Sequence, residues 1–170
     1  DGRLRRKAVA ALPFTLTEVQ RQSLAEITDD LSVGRRMLRL LQGDVGSGKT
    51  IVALLTMLVA VEASTQAAML APTEILARQH YKTIAPLAEA AGVRLAVLTG
   101  RDKGKGREQT LAALAHGEVD LLVGTHALIQ KDVEFADLGL AVIDEQHRFG
   151  VHQRMNIQAK GAGVHVLVMT

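Results

Sequence analysis

A chain of 170 residues, 48% of them hydrophobic, is one domain's worth and long enough to bury a core. Its formal net charge of +2 excludes a bulk polyelectrolyte, so any basic surface must be local. The absence of cysteine excludes a disulfide framework and thiolate chemistry, and no apolar run approaches the roughly 20 residues of a membrane span.

In chain order, residues 1–13 read as a basic linker or lead-in helix ahead of the core, which occupies 14–170. No signal-peptide pattern is present there, because the apolar run is too short. "LPFTLTEVQ" (12–20) contains Thr17-x-x-Gln20, a helix capping box. Strand-like runs follow at 37–42, 67–72, 93–99, 119–125, 138–144 and 164–170, most of them apolar on both faces. Helical patterns separate them at 49–63, 74–92 and 105–117, the last two ending on Gly92 and Gly117. This alternation predicts an α/β fold: a parallel sheet with helices on both faces. The chain stops at Thr170, directly after the last strand, as expected for a piece of a longer protein.

The phosphate-binding signal lies at the first strand-to-helix junction. Gly43-Asp44-Val45-Gly46-Ser47-Gly48-Lys49-Thr50 matches G-x-x-x-x-G-K-[ST] at every fixed position. Glycines let successive N–H groups curl toward phosphate oxygens, and the helix N-terminus adds partial positive charge. Lys49 is expected to reach the β- and γ-phosphates of ATP, and the Thr50 hydroxyl to ligate Mg²⁺. The second signal is "LAVIDEQH", in which Asp144-Glu145 ends a buried strand run. A carboxylate there stands where ligands bind in parallel sheets. Asp144 is expected to hold Mg²⁺ and Glu145 to act as general base on the attacking water.

Asp144-Glu145-Gln146-His147 behind such a loop resembles the DExH signature of superfamily 2 helicases. "DEQHRFGVHQR" (144–154) with "LLQGDVGSGKT" (40–50) is similar to the RecG branch of that superfamily, over nearly the whole chain. The related transcription–repair coupling translocases typically read DEEH and carry a bulkier residue where Ser47 stands. The resemblance implies a RecA-like helicase motor domain, the first of two. It implies ATP and Mg²⁺ as cofactors and branched double-stranded DNA as partner, such as stalled forks and Holliday junctions. It further implies a second RecA-like domain with an arginine finger, an upstream wedge domain, no membrane, and a bacterial cytoplasmic, nucleoid-associated location. A nucleotide-binding module without catalysis describes the isolated domain's expected behaviour.

Further roles follow from the same resemblance. Gln20 would hydrogen-bond adenine and Phe14 would pack near the base, beside the capping reading. His147 would sense the γ-phosphate. "APTEILARQH" (71–80) and "VGTHAL" (123–128) resemble motifs Ia and Ib, with Thr73, Arg78, Gly124 and Thr125 as contacts to the DNA backbone. In "TGRDKGKGR" (99–107), Arg101, Lys103, Lys105 and Arg107 either screen DNA phosphates or form a solvated loop. His80 and His126 read as surface or packing histidines, lacking a metal-ligand arrangement with any carboxylate or cysteine. His116 stands at a helix end, where a cation suits the dipole.

Overall fold

A computed structural model of the chain describes residues 2–33, 37–42, 48–144, 151–161 and 163–170, without the side chains of 151–154. Its elements run α1 (Arg3–Ala10), α2 (Glu18–Ser32), β1 (Leu38–Leu41), α3 (Lys49–Glu62), β2 (Gln66–Leu70), α4 (Glu74–Ala91), β3 (Leu95–Leu98), α5 (Gly104–Ala115), β4 (Leu121–Gly124), a short 3-10 helix (His126–Ile129), β5 (Leu138–Asp144), α6 (Val151–Gln158) and β6 (His165–Met169). All strands pair in parallel, in the order β1-β6-β5-β2-β4-β3. Each predicted strand and helix is present.

Alternation along the strands splits the core in two. Ala67, Met69, Leu121, Val123, Leu140, Val142 and Leu167 face α2, α3 and α4 on one side. Ala68, Leu70, Leu122, Ala141, Ile143, Val166 and Val168 face Leu114 of α5, Leu128 and Ile157 of α6 on the other. Both faces of the inner strands β2, β4, β5 and β6 are covered, which is why these read as continuous apolar runs, whereas Leu38 and Leu40 of the edge strand β1 stand exposed. α3 is the most deeply enclosed helix, with Ala53, Leu54, Met57 and Leu58 fully buried.

Capping fixes the helix ends. The Thr17 hydroxyl accepts from Gln20 N at 3.1 Å and Gln20 Oε1 accepts from Thr17 N at 2.8 Å, completing the capping box of α2. Gly92 closes α4 in the left-handed region at φ 74°, a conformation glycine adopts without Cβ strain. The basic segment at the N-terminus is a helix docked on the core. Glu62 of α3 accepts from Leu4 N at 2.9 Å and from Arg5 Nε at 2.9 Å, and Ala8 is buried.

One buried polar hub has no counterpart in the sequence reading. Gln66 Nε2 donates to the carbonyls of Leu114 and Val119, both at 2.9 Å, and its Oε1 accepts from Asp137 N at 2.9 Å. It ties α5, the approach to β4 and the approach to β5 to the start of β2. The Leu114 carbonyl also accepts from Gly117 N and Ala136 N, so replacing Gln66 takes the side-chain partner chiefly from the Val119 carbonyl and the Asp137 N–H, each costing about 1–3 kcal/mol if unsatisfied. Gln66→Leu is expected to lower unfolding stability by about 2–4 kcal/mol, read from urea midpoints at unchanged slope. A loss under about 0.5 kcal/mol would show that water replaces the hub.

Candidate nucleotide and nucleic-acid site

The strand register assembles the site. Leu40, Val168, Ile143, Leu70, Gly124 and Leu98 are paired in one row across all six strands. The next residues in each strand therefore leave the sheet on one edge, its carboxyl edge. There stand the approach to the phosphate loop after Leu41, Thr170, Asp144, the segment leading to Thr73, Thr125 and Thr99. Leu41 and Asp144 both pair with Met169, so they lie two strand spacings apart, about 10 Å. Ligands of parallel α/β sheets bind at this edge.

Gly43, Asp44, Val45, Gly46 and Ser47 of the phosphate loop lie outside the described residues, as do Glu145, Gln146, His147, Arg148 and Phe149. The described parts flank them. Gly48 caps α3 at φ 81°, where L side chains are strained, and a Cβ there would collide with the Gln20 amide. Gln20 is thus buried against Gly48 while serving the capping box. Lys49 and Thr50 open α3, and Lys49 Nζ donates to the Thr170 carbonyl at 2.6 Å. Phe14 is half exposed, leaving its ring available to a ligand.

Asp144 is not alone. His80 Nε2 lies 2.8 Å from Asp144 Oδ2, and the two side chains are only 13% and 14% exposed. An ionised carboxylate can only accept, so the imidazole Nε2 carries the hydrogen. The reading of His80 as a surface or packing histidine does not include this partner. The partners are 64 residues apart in sequence, and only the neighbouring exits of β2 and β5 bring them together. The chemistry of Thr50 and Asp144, hard oxygen donors, suits Mg²⁺, which needs one or two protein oxygens beside phosphate and water. The described residues hold no cluster of three or more His, Cys, Asp or Glu that could bind a metal unaided.

A second region forms from motif Ia and the basic loop. Thr73, Glu74, Arg78, Lys82 and Arg101 line an open groove of about 610 Å³. Thr73 caps α4, its hydroxyl accepting from Leu76 N at 3.2 Å. Glu74 Oε1 pairs with Arg101 Nε at 3.4 Å and Arg78 Nε at 3.9 Å, and Arg78 Nη2 lies 3.6 Å from Asp102 Oδ2. Three cations, Arg78, Lys82 and Arg101, against two carboxylates, Glu74 and Asp102, leave the groove with one surplus positive charge. Lys103 and Lys105 stand exposed at the start of α5. Arg107 differs from its neighbours. It grips Asp132 at 2.8 Å and Gln130 at 3.1 Å, and by that hydrogen bond holds the Asp132 carboxyl below the usual carboxylate range. Its role is to fasten the loop after the 3-10 helix.

Gly124 and Thr125 are buried. A Cβ on Gly124 would collide with the Leu98 carbonyl and the Leu128 side chain, so strand packing demands glycine there. The Thr125 hydroxyl accepts from Ala127 N at 3.3 Å, capping the 3-10 helix. His116 ends α5 and His126 begins the 3-10 helix, as local structure. Sequence reading missed His80 and Asp102. For Asp102 a signal exists: Thr99-x-x-Asp102 is a local turn, in which Thr99 N donates to Asp102 Oδ2 at 2.7 Å.

The family model for DEAD/DEAH box helicases matches residues 17–168. The chain belongs to the DEAD/DEAH box helicase family. Among curated relatives of this helicase domain, it is 53% identical to the ATP-dependent DNA helicase RecG of Streptococcus pneumoniae serotype 4, over 94% of this chain and 24% of that protein. It is 50% identical to RecG of Aquifex aeolicus, over 100% of this chain and 22% of that protein. The chain thus spans about a quarter of the length of these relatives. A solved structure of RecG bound to a three-way DNA junction superposes with a TM-score of 0.84 at 43% identity, covering 99% of this chain and 22% of that one. The DEAD-box helicase Mss116 bound to ssRNA gives a TM-score of 0.78 at 18% identity, covering 100% of this chain and 38% of that one, and shows the shared fold.

Proposed function

We propose that this chain is the first RecA-like motor domain of a RecG-type ATP-dependent DNA helicase that remodels branched double-stranded DNA. The observation that supports it most is the single register row behind Lys49, Asp144, Thr73, Thr99 and Thr125. It sets the nucleotide residues and the DNA-facing residues on one edge of one sheet. The identities to RecG proteins favour this reading over the transcription–repair coupling translocase. A bacterial cytoplasmic, nucleoid-associated location goes with it, and no helix among the described residues is long and apolar enough to cross a membrane.

Each residue then has a task. The loop from Gly43 to Gly48 cradles the phosphates through main-chain N–H groups, and Lys49 sets its ammonium on the β- and γ-phosphates. Thr50 and Asp144 hold Mg²⁺, which when bound neutralises charge on those phosphate oxygens. Glu145 takes the proton of the attacking water, and His147 senses the γ-phosphate. Gln20 reads the adenine edge with Phe14 beside the base. Thr73, Arg78, Arg101, Lys103 and Lys105 meet the DNA backbone, joined by Gly124 and Thr125 through main-chain groups. Such contacts fix register without reading sequence. Residues 14–170 form the ATP-binding domain and 1–13 lead into it. A second RecA-like domain supplies the arginine finger, and an upstream wedge domain recognises the junction.

Glu145 separates binding from chemistry. Glu145→Gln keeps size and shape but removes the base. In the full-length protein it is expected to bind ATP with Mg²⁺ normally while hydrolysis falls by roughly 10²-fold or more. Lost binding with unchanged turnover per bound nucleotide would make Glu145 a binding residue and overturn the assignment.

A further inference from the structure

His80 has no task in the scheme above, yet its imidazole holds the Asp144 carboxylate at 2.8 Å in a site mostly closed to water. It also rides on α4, the helix whose first turn forms the groove wall. Thr73 is the N-cap of α4, Arg78 follows in its second turn, and His80 stands seven residues beyond the cap. Seven residues are almost two helical turns, so His80 and Thr73 share one side of the helix, about 10 Å apart along its axis. The groove and the carboxylate are thus linked by one rigid element and one hydrogen bond.

α4 is well placed to move as a unit. Its core contacts, Ala77, Ile84, Leu87, Ala88 and Ala91, are apolar and lie along a single stripe. The polar contacts from its first turns to the rest of the chain are the ion pairs Arg78 to Asp102 at 3.6 Å and Glu74 to Arg101 at 3.4 Å and the hydrogen bond from Arg78 to the Thr99 hydroxyl at 3.3 Å, all at a partly solvated surface. Such pairs are weak, and a phosphate backbone competes for the same guanidinium groups. By contrast, the His80–Asp144 contact is short and shielded. A shift of the N-terminal end of α4 that reorganises those pairs therefore reaches Asp144 without passing through the sheet.

We infer that His80 is a positioning residue that sets the Asp144 carboxylate and transmits the state of the Thr73–Arg78–Arg101 groove to the nucleotide site. The inference rests on the proposed role of Asp144 as a metal-side ligand. It concerns orientation of the carboxylate by the hydrogen bond from the imidazole Nε2–H.

The test uses the full-length protein and three readouts: affinity for a three-way DNA junction, the Mg²⁺ dependence of binding a fluorescent non-hydrolysable ATP analogue, and the factor by which DNA stimulates phosphate release. His80→Ala is expected to keep junction affinity within about twofold, since no DNA contact is removed. It should raise the Mg²⁺ needed for half-maximal analogue binding by about threefold or more, and cut the stimulation factor by about tenfold or more, as loss of outer-shell partners does. His80→Gln, whose amide N–H can donate to Asp144, should recover most of both. Thermal melts accompany each variant; if His80→Ala does not fold, His80→Asn, too short to reach Oδ2, takes its place. Wild-type Mg²⁺ dependence and stimulation in the truncated variant would overturn the inference. A defect that His80→Gln fails to relieve would also overturn it, because packing rather than the hydrogen bond would be at work. Asp144→Asn runs in parallel. Normal Mg²⁺-dependent binding and turnover there would overturn the site assignment itself, whereas a defective Asp144→Asn beside a normal His80→Ala overturns the coupling alone.

Discussion

Lys49→Ala in the full-length protein is expected to abolish measurable ATP turnover while leaving the fold unchanged. The fold should survive because the side chain is only partly enclosed and, among the described residues, hydrogen-bonds only the Thr170 carbonyl at the solvent-facing edge. Losing such a surface contact typically changes stability by no more than about 0.5 kcal/mol. The chemistry should not survive. A fixed ammonium at the β- and γ-phosphates stabilises charge that grows in the transition state, and deleting one such preorganised donor costs about 10²- to 10³-fold in rate. The lysine also draws the nucleotide in, so binding should weaken alongside. Phosphate release under saturating junction DNA measures the first effect, and thermal melting the second. Turnover within about tenfold of wild type would remove the phosphate loop from the mechanism.

The elements that carry the site were legible in the sequence, because buried parallel strands and amphipathic or enclosed helices write different periods. The place of Asp144 at the end of β5 was legible for a further reason: a carboxylate ending an apolar run is a local pattern. The hydrogen bond between His80 and Asp144 was not. It depends on β2 and β5 being sheet neighbours although α4, β3, α5 and β4 separate them in the chain, and nothing within either segment encodes that adjacency. Gln66 was missed for the same reason, since its partners are two carbonyls, from α5 and the loop before β4, and one N–H from the loop before β5. Gly124 carries a packing constraint that no local pattern encodes: the close approach of the Leu98 carbonyl and the Leu128 side chain leaves no room for a Cβ. Arg107 was grouped with the free-standing basic residues of its loop, because the guanidinium's partner Asp132 lies 25 residues away.

Residues 1–170 alone are expected to fold as a stable α/β domain with no unwinding and little or no DNA-stimulated ATPase. Stability follows from the two enclosed core layers, whose strand residues are almost entirely buried. Weak chemistry follows from geometry. Lys49, Thr50, Asp144 and Gln20 all belong to one wall, the carboxyl edge of a single sheet and the helix start beside it. The opposite wall of the cleft is proposed to come from the second RecA-like domain. Without it, one side of a bound triphosphate faces water, which screens every charge the first wall presents. The missing arginine finger is by itself worth about 10³- to 10⁵-fold in related phosphoryl-transfer enzymes. DNA has no way to restore it, because a groove on one domain can bind a backbone but cannot close a cleft. Phosphate release should therefore be compared for the isolated domain and the full-length protein, each with and without a three-way junction. The domain is expected to fall at least about 10³-fold below the stimulated full-length rate and to be insensitive to DNA. A domain rate within about tenfold of the stimulated protein would mean that one wall suffices, and that the second domain serves movement rather than hydrolysis.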